Sequence, residues 1–212
     1  MDVRIITISR EFGSGGRSVG KQLAERLGIP YYDKELVNQV ALETGFDPRY
    51  VEENGEQAPI GGRLAYAFNM QGVPGIMRGL SAMDFLWCIQ REVILKLADE
   101  GPCVIVGRSA DYILKDRPDA IHAFIHADMA FRADRIVRLY GQSEKAPEQR
   151  LRDKDKKRAV NYQHYTGREW GKSQNYTLSL NSGVLGIDRC VDILAGIVGT
   201  IPAKDKAPEA AK

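Results

Sequence analysis

The alternation of apolar and polar positions divides the chain into strands and helices. A β-branched run, "RIITIS", leads into the glycine-rich turn "EFGSGGRS". Val19, Leu23 and Leu27 then recur at helical spacing until Gly28 and Pro30 end the helix. A short strand follows at "PYYD". Apolar runs at "PCVIVG" and "AIHAFIHAD" are each trailed by helical stretches, and a last strand, "YTLSLN", precedes a helix beginning near Asp188. Strands alternating with helices predict a parallel, five-stranded sheet covered on both faces, a three-layer α/β/α architecture.

Two segments break this rhythm. "GEQAPIGGRLAYAFNMQGVPGIMRGLSAM" mixes Gly, Pro and Met with apolar residues and reads as a mobile acceptor-side lobe within residues 41–82. "SEKAPEQRLRDKDKKRAVNYQHYTGREWGKSQN" sets charges of both signs beside aromatics and reads as a helical lid over a charged ligand, residues 142–174. The expected organisation is one domain over residues 1–200 with a flexible tail at 201–212, "IPAKDKAPEAAK", which has no apolar face.

Composition narrows the partners. A chain of 212 residues can bury a full core, and 30 basic against 28 acidic residues give a net charge of +2, too little for a polyanion-coating protein. No nucleic-acid partner is expected. Cys88, Cys103 and Cys190 are far apart in sequence and suggest neither a disulfide framework nor a metal knuckle. With no leader-like segment and no apolar run of membrane-spanning length, a cytoplasmic location away from membranes is expected. His122 and His126 share a strand face without a third ligand and read as strand histidines. Arg132, Arg135 and Arg138 form a helical stripe that reads as a solvated face.

The candidate chemistry lies in the first loop. Glycines at 13, 15 and 16, with Ser14 among them, let successive backbone amides converge on an anion, and the helix starting near Ser18 adds its dipole. A phosphate loop of the form GxxxxGK[ST] carries a lysine where Gly16 stands, so a cation is missing. Arg10 and Arg17 are the nearest cations. Lys21 lies a helical turn beyond and points away. Arg17 is the expected substitute, since its planar guanidinium can grip two phosphate oxygens. Ser18 keeps a hydroxyl where magnesium would be coordinated. Gly13 to Ser18 are thus the predicted site for the phosphates of ATP, with Mg2+. Arg108 follows the end of an apolar strand, where open α/β sheets bind ligands.

The motifs "ITISREFGSGGRSVGKQLAERLGIPYYD", "VIVGRSADYIL", "DKKRAVNYQHYTGREWG" and "NYTLSLNSGVLGID" follow one another in an order that resembles the cytidylate kinase-like proteins. These are relatives of cytidylate kinase within the P-loop nucleoside monophosphate kinases. The resemblance implies a P-loop NTPase fold and transfer of the γ-phosphate of ATP to a small phosphorylated acceptor, CMP or dCMP in the true cytidylate kinases. It assigns Arg91 of "QREV" to the grip on the acceptor monophosphate and Asp33 to the acceptor side of the site. It assigns Arg108 of "VGRS" and the lid pair Asp155 and Arg158 of "DKKRA" to catalysis.

Read from the residues alone, Arg91 is a surface arginine beside the stripe Leu86, Ile89, Val93 and Leu97, and Asp155 with Arg158 is an i,i+3 pair. The chain departs from the family pattern where Lys34 replaces a base-contacting serine and Ser109 replaces an aspartate. Two other functions fit the same residues: a nucleotide-binding regulator without turnover, and a kinase for another phosphorylated metabolite.

Overall fold

The structure is a computed structural model, and residues 3–56 and 81–198 are described. Most of the expected 41–82 lobe and the whole 201–212 tail lie outside the described residues. Strand β1 (Ile5–Arg10) runs into the glycine loop and helix α1 (Gly16–Leu27). Then come β2 (Tyr31–Tyr32), α2 (Lys34–Thr44) and α3 (Pro48–Asn54). After the undescribed stretch follow α4 (Ala82–Glu100), β3 (Cys103–Val106), the short α5 (Ala110–Ile113), β4 (Ala120–His126), α6 (Met129–Tyr140) and α7 (Pro147–Thr166). The described chain ends with β5 (Leu178–Asn181), α8 (Ser182–Leu185) and α9 (Ile187–Val198).

The five strands form one parallel sheet in the order β2-β3-β1-β4-β5. Parallel pairing requires long crossovers, so both sheet faces are covered, and all six residues of β1 are buried. Side chains alternate between two cores. Ile5 and Ile105 pack toward α2 and α4, whereas Ile6, Ile8, Val104 and Val106 pack toward α1 and α9. Arg10 continues the even-numbered face, the one that α1 covers. In the register of β1 and β3, Ile8 lies opposite Val106, so Arg10 and Arg108 leave the same edge of the sheet two residues later.

The segment expected to be a lid is mostly one helix, α7. It packs on α6 through a small core of Ala133, Ile136 and Leu151, joined by Phe12 from the glycine loop. Among the described residues no helix is long and apolar enough to cross a membrane. Leu151 is fully buried in the α6–α7 seam, so Leu151→Ala is expected to cost about 2–5 kcal/mol. Urea denaturation measures this, and an unchanged midpoint would mean that α7 is not held by that seam.

Candidate phosphate-binding site

The glycine loop sits at the carboxyl edge of the sheet, where side chains from several segments meet. Gly13 and Gly15 adopt left-handed backbone, φ 82° and 86°, which folds the loop so that α1 can start at Gly16. The first helical hydrogen bond is Val19 N to Gly15 O, 2.9 Å, which leaves the amides of Gly16, Arg17 and Ser18 outside the helical ladder. Ser14 does not face the cleft. Its fully buried hydroxyl lies 2.9 Å from both Glu11 O and Ile125 O, and its carbonyl accepts from Ser182. Ser14 therefore pins the loop to the sheet.

An open cleft of about 580 Å³ spreads in front of this loop. Its walls carry seven basic side chains (Arg10, Arg17, Arg108, Arg135, Lys154, Lys157, Arg158) against four acidic ones (Glu11, Asp33, Glu52, Glu56). The excess of positive charge is local, since the whole chain is nearly neutral. Such a cleft favours an anion.

At its floor, three arginines from separate segments surround Glu56. Arg10 donates from Nη1 to Glu56 Oε1 at 2.7 Å, Arg158 from Nε to Oε2 at 3.0 Å, and the Arg108 amide to Oε1 at 3.3 Å. Burial by itself would push the Glu56 carboxyl up, but Arg10, Arg158 and Arg108 together hold it well below its ordinary value. Burial also works against the charge on Arg10, where Glu56 more than offsets it, so that guanidinium is held above its ordinary value. Arg108 and Arg158 are pushed down, first by burial and also by Arg10.

Arg108 is placed at a conformational cost. Gly107, Arg108 and Ser109 follow one another in left-handed backbone, φ 77°, 56° and 52°, and the latter two carry side chains that disfavour it. Contacts on both sides hold the turn: Gln90 donates to Arg108 O at 3.3 Å and Arg108 Nη1 donates to Val51 O at 3.1 Å.

The other expected residues divide. Arg17 lines the cleft, but its guanidinium makes a two-pronged pair with Asp33, Nε to Oδ2 2.9 Å and Nη2 to Oδ1 3.2 Å. It is thus committed to a neighbour where a free substitute for the lysine was expected. The Ser18 hydroxyl accepts from Arg135 at 2.8 Å, so a guanidinium holds the oxygen expected to face magnesium. Asp155 accepts from the Phe12 amide at 2.7 Å and from Arg132 at 2.5 Å, tying α7 to the loop. Arg91 is exposed on α4, on the side away from its packed face of Leu86, Gln90, Val93 and Ile94, and does not line the cleft.

The arginine stripe of α6 differs from its expected solvated state. Arg132 is buried against Asp155 and Glu11, and Arg135 reaches Ser18; Arg138 alone stays on the surface, paired with Asp134. His122 is hydrogen-bonded to Thr7, and among the described residues no group of His, Cys, Asp or Glu forms a metal cluster. Glu56 had no signal in the sequence, and Arg135 reads there only as part of a solvated stripe. Arg10 had one: it ends an apolar strand, the same position that singled out Arg108.

A parallel sheet with its glycine loop after the central strand and an arginine-lined cleft above it is a P-loop kinase fold. Solved structures agree. Shikimate kinase from Acinetobacter baumannii matches with a TM-score of 0.52 at 18% identity, over 92% of this chain and 93% of that one. A gluconokinase from Sinorhizobium meliloti 1021 matches with a TM-score of 0.50 at 16% identity, over 92% and 94%. An uncharacterized protein from Eubacterium ventriosum ATCC 27560 is more similar, with a TM-score of 0.70 at 29% identity over 93% and 99%. No curated protein matches. The chain belongs to the cytidylate kinase-like family, whose profile matches residues 5–184.

The charge cluster yields a pH prediction. The folded value of Glu56 lies below its ordinary 4.5, so its contribution to stability is present above that pH and is lost as pH falls through the folded value. Glu56→Gln is expected to lower the melting temperature at neutral pH, by leaving three arginines without their carboxylate, and to flatten the fall in stability below pH 4.5. Parallel acid profiles for the two proteins would show that Glu56 is not held by the arginines.

Proposed function

We propose that this protein transfers the γ-phosphate of ATP, or of another nucleoside triphosphate, to a small phosphorylated acceptor, a nucleoside monophosphate, with CMP and dCMP as the first to test. The observation that carries this reading is the meeting of the Arg10 and Arg158 guanidiniums on Glu56, with Arg108 lining the same cleft, beside the loop amides left outside the helical ladder. Phosphoryl transfer needs little covalent help. It needs concentrated positive charge around the transferring group in a closed site. Gly13 to Ser18 form the cradle for the triphosphate, Arg108 and Arg158 contact the transferring group, and Asp155 positions α7 from the side of the loop. Asp33, with Arg17, marks the acceptor wall. The role of Arg91 in gripping the acceptor rests on the family resemblance alone.

Kinase chemistry calls for magnesium, which would offset charge on the phosphates. Ser18 is the residue to hold it, but its hydroxyl accepts from Arg135. The residues fit the ion only when Arg135 releases that oxygen. Turnover that survives EDTA would remove magnesium from the proposal. The three free cysteines, two of them buried, suit a cytoplasmic enzyme.

A second reading is favoured by Glu56 itself, because a carboxylate fits among the three arginines. The acceptor would then be a hydroxy acid, of the kind for which shikimate kinase and gluconokinase are named. An ADP-release screen over ribo- and deoxyribonucleoside monophosphates, sugar phosphates and hydroxy acids separates the readings. If nucleotide binds and no acceptor stimulates turnover, the protein is a nucleotide-binding regulator. With the acceptor in hand, Arg158→Ala is expected to lower kcat on the order of a hundredfold with little change in KM, because a charge used in the transition state appears in kcat. An unchanged kcat in a variant that melts normally would take Arg158 out of the chemistry.

A further inference from the structure

The backbone of Gly16 is helical, so no left-handed conformation demands glycine there. The demand is steric. A Cβ at residue 16 would fall 2.5 Å from Arg10 Cβ and 2.9 Å from Arg10 Cγ. These atoms are the stem of the arginine, fixed to the strand, and cannot swing aside like a flexible tip. Gly107 shows the same crowding at the far end of the side chain, where an added Cβ would fall 1.9 Å from Arg10 Nη1. Two glycines therefore leave a corridor through which Arg10 runs from the end of β1 to the cleft.

The guanidinium that emerges is buried and only partly satisfied. Nη1 donates to Glu56, while Nε is buried and has no hydrogen-bond partner among the described residues. Arg17 differs in each respect: its side chain is 45% exposed and both of its contacts are to Asp33.

We infer that Arg10 supplies the phosphate-binding cation that the loop lacks at Gly16, and that residue 16 is glycine because the Arg10 stem occupies the space a lysine would need. The lysine of an ordinary phosphate loop approaches from the helix. Here the charge approaches from the strand, one layer lower, and reaches the same cleft. The inference rests on the phosphoryl-transfer reading for the identity of the ligand, a polyphosphate, but it concerns binding and can be tested without turnover.

The test is equilibrium binding of ATP by calorimetry, with no acceptor present. Arg10→Met keeps the length of the stem and removes the charge. A charge-assisted contact of this kind corresponds to a loss of roughly ten- to a hundredfold in affinity, with a smaller loss for Arg17→Ala. Gly16→Lys alone is expected to weaken binding and lower the melting temperature, because the two stems collide. Gly16→Lys combined with Arg10→Ala is expected to recover most of the parent's affinity, with the lysine restored to its ordinary place. Should Arg10→Ala fail to fold alone, the comparison of Arg10→Met with the parent still reads the charge.

Parent-like ATP binding by Arg10→Met would overturn the inference while leaving the kinase reading standing. An equal cost of Gly16→Lys with arginine or alanine at position 10 would overturn its steric half. A parent that turns over no acceptor but binds ATP through Arg10 supports the inference and removes only the kinase reading.

Discussion

Like charges held together in a partly buried place set the terms for this cleft. Two unit charges about 5 Å apart repel by about 3 kcal/mol at an effective dielectric constant of 20, and here the guanidiniums of Arg10 and Arg158 share Glu56 while Arg108 meets it through its amide. The parallel register supplies two of the three arginines, since Arg10 and Arg108 leave adjacent strands at the same edge. Helix α7 supplies the third. Glu56 offsets part of this charge, with Asp155 beside Arg158 and Asp33 acting on Arg10 and Arg108. The strained turn at Arg108 and Ser109 follows from the same demand, because left-handed backbone at two residues with side chains persists only where surrounding contacts enforce it.

Secondary structure and sheet were legible because their signals are local. The apolar runs at "RIITIS", "PCVIVG" and "AIHAFIHAD" became β1, β3 and β4, and the glycine loop opened α1 as its spacing required. The five parallel strands follow from alternation with helices, which admits few other arrangements. The expected lid segment contains a long helix because "APEQRLRDKDKKRAVNYQHYTG" has a proline at its start, a glycine at its end and no breaker between.

Side-chain partnership was not legible, because it depends on pairs far apart in sequence. Arg17 and Asp33 are 16 residues apart, Ser18 and Arg135 are 117, and Arg158 and Glu56 are 102. The α6 stripe shows the limit. Arginines at every third position look the same from sequence whether they face water or a loop carbonyl, and here Arg132 donates to Phe12 O while Arg138 stays on the surface. Arg10 was legible as a cation near the loop, since it ends an apolar strand, but its burial was not. It is buried because Gly16 and Gly107 open a path for it.

Two residues in the middle of α7, one turn apart, are bound in different ways. Asp155 is fastened to the loop through Phe12 and to α6 through Arg132. Arg158, one turn later, meets Glu56 and the carbonyl of Arg10. Arg158 also lies 3.9 Å from Asp155, so the anchor on the loop and the charge on the floor of the cleft are joined through one guanidinium. The arginines need not be gathered when the ligand arrives, because Glu56 already holds them together, and the cost of their mutual repulsion falls on folding rather than on binding.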